Sequence, residues 1–263
     1  MSERALVIIP TYIRTDDDFD TTITAIRSVM DTQPGVEILC VDDGSPNKAL
    51  VDALEQLEDV DAFSVFRKTE NTGFSKTVNV GLQRALDEGR DAVLLNADVE
   101  ITTPYWLNVM RKTHDDRGRP AAVVGALLMF PDDLIQHAGI YFSVLTRTFD
   151  HIFKYAPMNL PEAHQMRTCP VTGAFQFIRH STLEKVGIYD EDFFMGWEDV
   201  DYCLRTFMAD ESCVMHPDVR AYHFEQKFRG RPSPKVADWQ AKSWMHLSAK
   251  YASANFDQYV PTI

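Results

Sequence analysis

Two oxygen-bearing side chains two residues apart, Asn96 and Asp98, follow the apolar stretch Val93-Leu94-Leu95. A buried strand that stops on such a pair presents it at a sheet rim, where a carboxylate can hold a cation or a hydroxyl group. A helix N-cap is the competing use, because Thr102-Thr103-Pro104 follows and a helix is expected near Pro104. Asp42 and Asp43 close a second apolar stretch, Val36–Val41, and run into Gly44-Ser45. An Asx turn capping the next helix would use them equally well. A third group, Glu198-Asp199-Val200-Asp201, opens a predicted helix, where the macrodipole favours acids. Helix-end stabilisation leaves its aromatic approach, Phe193-Phe194-Met195-Gly196-Trp197, without a purpose. A carboxylate beside such bulk can have its pKa lifted toward the working range of a general base. Acids gathered on one rim repel unless they are solvated, hydrogen-bonded or collected around a cation.

The elements that must position these groups alternate through the first hundred or so residues. Strands are expected at Ala5–Pro10, Val36–Val41, Ala62–Arg67 and Ala92–Asn96, separated by helices at Thr21–Thr32, Lys48–Leu57 and Lys76–Leu86. This rhythm predicts an α/β fold with a mostly parallel, doubly wound sheet. Beyond Pro104 it changes. A helix at Trp106–His114 and a strand at Ala121–Phe130 precede small antiparallel strands within Pro131–Tyr155. Then come a strand at Val171–Arg179, helices at His180–Val186 and Glu198–Phe207, a strand near Cys213–Met215 leading through Pro217 to Val219–His223, and a helix at Lys235–Tyr251. No linker or repeat interrupts the chain, so residues 1–263 are expected to form one domain.

The 263 residues carry a formal net charge of −13, which opposes a broad grip on nucleic acid or anionic lipid. A nucleic-acid partner is therefore disfavoured, the one basic stretch being Lys227–Lys235. No apolar run approaches the ~20 residues of a membrane span. The start, Met-Ser-Glu-Arg-Ala-Leu, lacks a secretory pattern, and Cys40, Cys169, Cys203 and Cys213 lack metal-ligand spacing. Free thiols and a cytoplasmic location are the expectation.

In order along the chain, Val7-Ile8-Ile9-Pro10-Thr11-Tyr12, Val41-Asp42-Asp43-Gly44-Ser45, Asn71-Thr72-Gly73-Phe74, Leu95-Asn96-Ala97-Asp98, Ile135-Gln136-His137-Ala138-Gly139, Thr172-Gly173-Ala174, Glu198 to Arg205 and Tyr222-His223-Phe224-Glu225 resemble the motifs of family 2 glycosyltransferases with the GT-A fold. The pattern is similar to that of rhamnosyltransferase-like and polysaccharide-biosynthesis members. The resemblance implies an enzyme that moves a sugar from a nucleoside diphosphate to a hydroxyl of a glycan or other acceptor, with inversion and a divalent ion, Mn²⁺ or Mg²⁺. It implies a nucleotide-binding half at 1–103, an acceptor and catalytic half at 104–230, and a C-terminal helix and tail at 231–263. It assigns Thr11, Tyr12, Asp42, Asp43, Asn71, Gly73, Lys76, Asn96 and Gly173 to the donor, and Asp98 with His223 to the metal. Asp199 becomes the general base, with Glu198 next in rank. The family's Asp-x-Asp reads Asn-x-Asp here, so one anionic ligand remains at that rim. His137 and His151 are expected to be structural on the acceptor side, Arg205 to pair the acidic cluster or face solvent, and Lys227–Arg231 to form a mobile flap. The alternatives are a sugar-nucleotide binding protein without catalysis and a nucleotidyltransferase. The first sits poorly with both Asp199 and His223, the second with an acidic Pro10–Asp20 loop.

Overall fold

The parallel strands β1 (Ala5–Thr11), β2 (Glu37–Asp42), β3 (Phe63–Arg67) and β4 (Asp91–Leu95) lie in the spatial order β3-β2-β1-β4 in a computed structural model. Residues 5–59, 62–224, 234–256 and 260–262 are described. Helices α1 (Asp16–Thr32), α2 (Lys48–Glu55) and α3 (Phe74–Asp87) connect these strands. The first begins on a capping box: the Asp18 N–H donates to the Thr15 hydroxyl and the Thr15 N–H to the Asp18 carboxylate. Strand order reverses between β1 and β4, and an open sheet takes ligands in the crevice beyond the carboxyl ends at such a point. Thr11 and Asn96 stand at that crevice because of where their strands end.

Past β4 the pairing turns antiparallel. Strand β11 (Phe175–Ile178) joins β4 to β6 (Val123–Met129), and β12 (Cys213–His223) runs parallel to β6, with β10 (Arg167–Thr168) at the outer edge. All seven residues of β6 are buried, which is why its sequence shows no alternation. The strand expected near Cys213–Met215 runs through Pro217 to His223 as β12, and its register shifts between His216 and Arg220. A proline has no N–H to give the ladder there. Short strands β5 (Val99–Ile101) and β7 (Ile135–His137) pair with the ends of β12 and β6. A separate hairpin is made by β8 (Ile140–Ser143) and β9 (Thr148–His151). The antiparallel portion is thus divided between the main sheet and this hairpin.

Helices cover both faces. On one, α1 and α4 (Trp106–Lys112) bury Ile26, Val29, Trp106 and Met110, with Trp106 edge-on to Phe175 at 5.1 Å. On the other, α3, α5 (His180–Val186) and α6 (Glu198–Met208) bury Val78, Leu82, Leu183 and Tyr202. A smaller cluster, including Ile140, Phe149, Phe193, Leu204 and Leu247, fastens the hairpin and the C-terminal helix α7 (Pro234–Lys250) to α6. Among the described residues no helix is long and apolar enough to cross a membrane.

Charges lock α7 in place. The Lys250 ammonium donates to Asp190 at 2.6 Å and lies 2.8 Å from Asp201, while His246 approaches Asp190 at 3.3 Å. Burial pushes the Asp190 carboxyl up, but Lys250, the Asp192 N–H and His246 outweigh it and hold the group at about 2. A carboxylate with a lowered folded pKa stabilises the fold above its unfolded value, and that contribution is lost as pH falls through the folded value. Asp190→Asn should therefore lower Tm at neutral pH, and the difference from wild type should vanish as pH falls from about 4 to about 2 in circular-dichroism melts.

Candidate active site

Beyond the carboxyl ends of β1 and β4 lies a cavity of about 570 Å³, lined among others by Thr11, Tyr12, Asp43, Asn71, Gly73, Asn96 and Asp98. Asp43 is fixed on its floor: Oδ1 accepts from the Lys68 ammonium at 2.8 Å and the Thr72 N–H at 2.9 Å, and Oδ2 from the Gly73 N–H at 3.0 Å. Lys68 also donates to the hydroxyls of Thr72 and Thr77. The Thr11 hydroxyl oxygen is buried without a hydrogen-bond partner.

Two donor-side expectations fall elsewhere. The Asp42 carboxylate accepts from the Ser45 N–H at 3.2 Å and from its hydroxyl, so it shapes the turn and does not line the cavity. Asn47, not this pair, caps α2. Lys76 is exposed and lines neither this cavity nor the second one described below. The cation near Asp43 is instead Lys68, which follows the last residue of β3 on the rim where Asp42 pairs with Arg67. Its place directly after a strand was the available signal. Lys235, Val236 and Trp239 of α7 also line the cavity, and Trp239 stacks on Phe194 at 4.3 Å. In sequence Trp239 shows only the apolar spacing of a helix. Lys227–Arg231, the expected flap, lies outside the described residues.

Gly73 starts α3 with φ +92°, and a Cβ there would stand 2.5 Å from the Phe194 carbonyl oxygen that accepts from the Phe74 N–H. Gly73→Ala should therefore destabilise the fold by about 1–3 kcal/mol, measurable by urea denaturation, because a left-handed conformation and a backbone clash coincide.

A second cavity, of about 390 Å³, shares Asn96, Phe74 and Met195 with the first and is also lined by Gln136, Gly173, Asp199 and His223. Where the two meet, the Asp98 Oδ1 and His223 Nε2 are 3.1 Å apart although 125 residues separate them. The cause is pairing: the chain leaving Asp98 becomes β5, which lies antiparallel to the end of β12 with Val99 opposite His223. The Phe224 N–H then donates to the Asp98 carbonyl at 2.9 Å. Because a strand follows Asp98, neither Asn96 nor Asp98 caps a helix.

This donor set fits a hard divalent cation. Two neighbouring ligands of an octahedral ion bound at ~2.1 Å are themselves ~3 Å apart. The His223 Nδ1–H donates to Gln136 Oε1 at 2.7 Å, which directs the Nε2 lone pair toward Asp98. Asn96 Oδ1 is buried without a hydrogen-bond partner beside them. Elsewhere, Asp190, Asp192 and His246 offer three ligand atoms within 4.8 Å of one another. The Lys250 ammonium already occupies that group, so its charge is met from within the protein.

Across the second cavity, Asp199 is set in the first turn of α6, and both its oxygens are oriented by backbone. The Gly173 N–H donates to Oδ2 at 3.0 Å and the Val200 N–H to Oδ1 at 2.8 Å. A Cβ on Gly173 would meet the Tyr189 hydroxyl at 3.1 Å, a tight contact. Glu198 beside it is 8% exposed. Arg205 donates to Asp201 at 2.8 Å and to the Val186 and Ile188 carbonyls, so it braces the start of α6. His137 is fully buried, and burial, with His151 and His223 adding to it, pushes its pKa well down. It accepts from the Thr172 N–H at 3.4 Å and faces the His151 Nδ1 at 2.8 Å.

Comparison with known proteins identifies the family and the fold. The profile of glycosyl transferase family 2 matches residues 6–187. The chain is 28% identical to the uncharacterized protein y4gI of Sinorhizobium fredii over 74% of its length, and 29% identical to the O-antigen biosynthesis protein RfbC of Myxococcus xanthus over 61%. It spans only 22% and 12% of those two proteins. Rhamnosyltransferase WbbL of Escherichia coli is 29% identical over 33% of the chain and 34% of its own length. Among solved structures, GalNAc-T7 with UDP, GalNAc and Mn²⁺ superposes with a TM-score of 0.67 at 17% identity, over 84% of this chain and 44% of that one. A mannosyltransferase, PcManGT, of Pyrobaculum calidifontis, in complex with GDP-Man and Mn²⁺, gives 0.62 at 17% identity, over 96% and 65%. The profile match, which ends before Asp199 and His223, covers more than half of the chain; the protein belongs to glycosyl transferase family 2 and has the GT-A fold.

Proposed function

We propose that this chain is an inverting, metal-dependent glycosyltransferase that moves a sugar from a nucleoside diphosphate to an acceptor hydroxyl. The observation that carries this reading is the Asp98–His223 pair with Asn96 at the junction of two cavities, the smaller of which holds Asp199. Thr11, Tyr12, Asp43, Asn71 and Gly73 take the nucleotide in the larger cavity, with residues 1–103 as its half of the domain. Asp42 and Lys68 support them by fixing the turn and the Asp43 carboxylate. Asp98 and His223 would hold a divalent ion, Mn²⁺ or Mg²⁺, which when bound supplies Lewis-acid stabilisation of the departing diphosphate. The Mn²⁺ complexes of GalNAc-T7 and PcManGT support that choice of ion and of a nucleotide-linked donor.

Asp199 accepts the proton of the acceptor hydroxyl as that oxygen attacks the anomeric carbon. The diphosphate departs on the opposite face, toward Asp98 and His223, so one displacement inverts the configuration. Gly173 and Asn96 line the sugar's place between the two, and Glu198 shapes the pocket beside the base. Incubation with Mn²⁺ and a panel of sugar nucleotides, following diphosphate release, tests the reading. Turnover of one donor supports it; no turnover or hydrolysis of any donor, with binding unchanged in Asp199→Ala, contradicts it.

A further inference from the structure

A third cavity, of about 590 Å³, lies between the β8–β9 hairpin and α7. Phe149 and Trp197 line both this cavity and the one that holds Asp199, so those side chains stand between two neighbouring cavities. Its walls include Phe142 and Trp244 on one hand and Arg147 and Ser248 on the other. Arg147 and Ser248 are exposed at the rim of these rings, and a sugar suits such a mixed wall because it offers C–H faces to rings and hydroxyls to polar groups, which an apolar tail cannot do. Trp197 occupies its place under strain: φ is +73°, a left-handed conformation that a bulky residue holds only where its surroundings impose it. Its ring packs against Trp244 at 5.0 Å, two residues before the proposed base. A side chain that both divides the cavities and precedes Asp199 so closely ties what fills the third cavity to what reacts in the second.

We propose that Trp197 and Trp244 form an acceptor subsite for the sugar adjoining the one that reacts, so that the acceptor is a glycan of at least two sugars. This rests on the transferase reading above. Saturation-transfer NMR with mono-, di- and trisaccharides of glucose, mannose, galactose, N-acetylglucosamine and rhamnose, in the presence of Mn²⁺, tests it without requiring turnover. A di- or trisaccharide should bind about tenfold or more tightly than its own monosaccharide, the scale of an added aromatic contact. That length dependence should collapse in Trp244→Ala and equally in Ser248→Trp, which fills the cavity from an exposed position and spares the core. Equal affinity at all lengths, no binding of any saccharide, length dependence that persists in both variants, or saturation of only the alkyl protons of octyl glucoside would overturn the subsite. Donor hydrolysis by the same wild-type sample separates the two ideas. Length-dependent binding without hydrolysis of any sugar nucleotide keeps the subsite and overturns the transferase reading; hydrolysis with length-independent binding does the reverse.

Discussion

Asp199→Asn is expected to lower the rate of sugar transfer by about 10²–10⁴-fold, the usual contribution of a positioned general base, with donor affinity unchanged. The substitution keeps the side chain's shape and an acceptor oxygen for one of the Gly173 and Val200 N–H groups, so α6 should keep its place. The proton from the acceptor hydroxyl would then have no carboxylate to receive it. Single-turnover transfer with a fixed donor, beside calorimetric titration of the same donor, separates the two quantities. Equal losses in rate and affinity would make Asp199 a binding residue, and a similar loss in Glu198→Gln but not in Asp199→Asn would move the base one residue earlier.

The second large effect concerns the cation. Asp98→Ala and His223→Ala should each weaken Mn²⁺ activation by at least ~100-fold, since even residues that merely orient a metal ligand cost 10–100-fold when removed. Asp98 should matter more in this chain than in a site with two acids, because Asn96 would supply an oxygen without charge. The titration of activity against Mn²⁺ concentration reads the effect directly. Unaltered metal dependence in both variants would show that the ion binds elsewhere.

Much of this arrangement was legible because parallel strands end where chemistry begins. The apolar stretches before Thr11, Asp42 and Asn96 showed which residues would reach the sheet rim, and β1, β2 and β4 end there. Periodicity could not tell which acid at a rim faces outward. Asp42 and Asp43 are adjacent, so their side chains diverge, and only the second lines the cavity. Lys76 and Lys68 were equally basic in sequence, but Lys76 projects from the exposed side of α3 while Lys68 continues a strand toward the rim. The return of His223 to Asp98 was implied by the family pattern alone. What produces it, the short β5 pairing with β12, spans three residues, too few for a pattern to show. Tertiary packing also hid the α7 wall of the larger cavity: Trp239 has ordinary helical spacing, and nothing local distinguishes a core face from a face turned to a pocket.

The central claim is that the two cavities meet at a cation, with the nucleotide on one side and the base on the other. A crystal of the wild-type protein grown with Mn²⁺ and a nucleoside diphosphate, located by the anomalous scattering of manganese, tests it most directly. The predicted result is a manganese peak bonded to Asp98 and His223 Nε2, touching the diphosphate, with the nucleoside between Tyr12 and Asp43. Manganese at Asp190, Asp192 and His246 with none at Asp98, or a nucleoside in the Asp199 cavity, would contradict it.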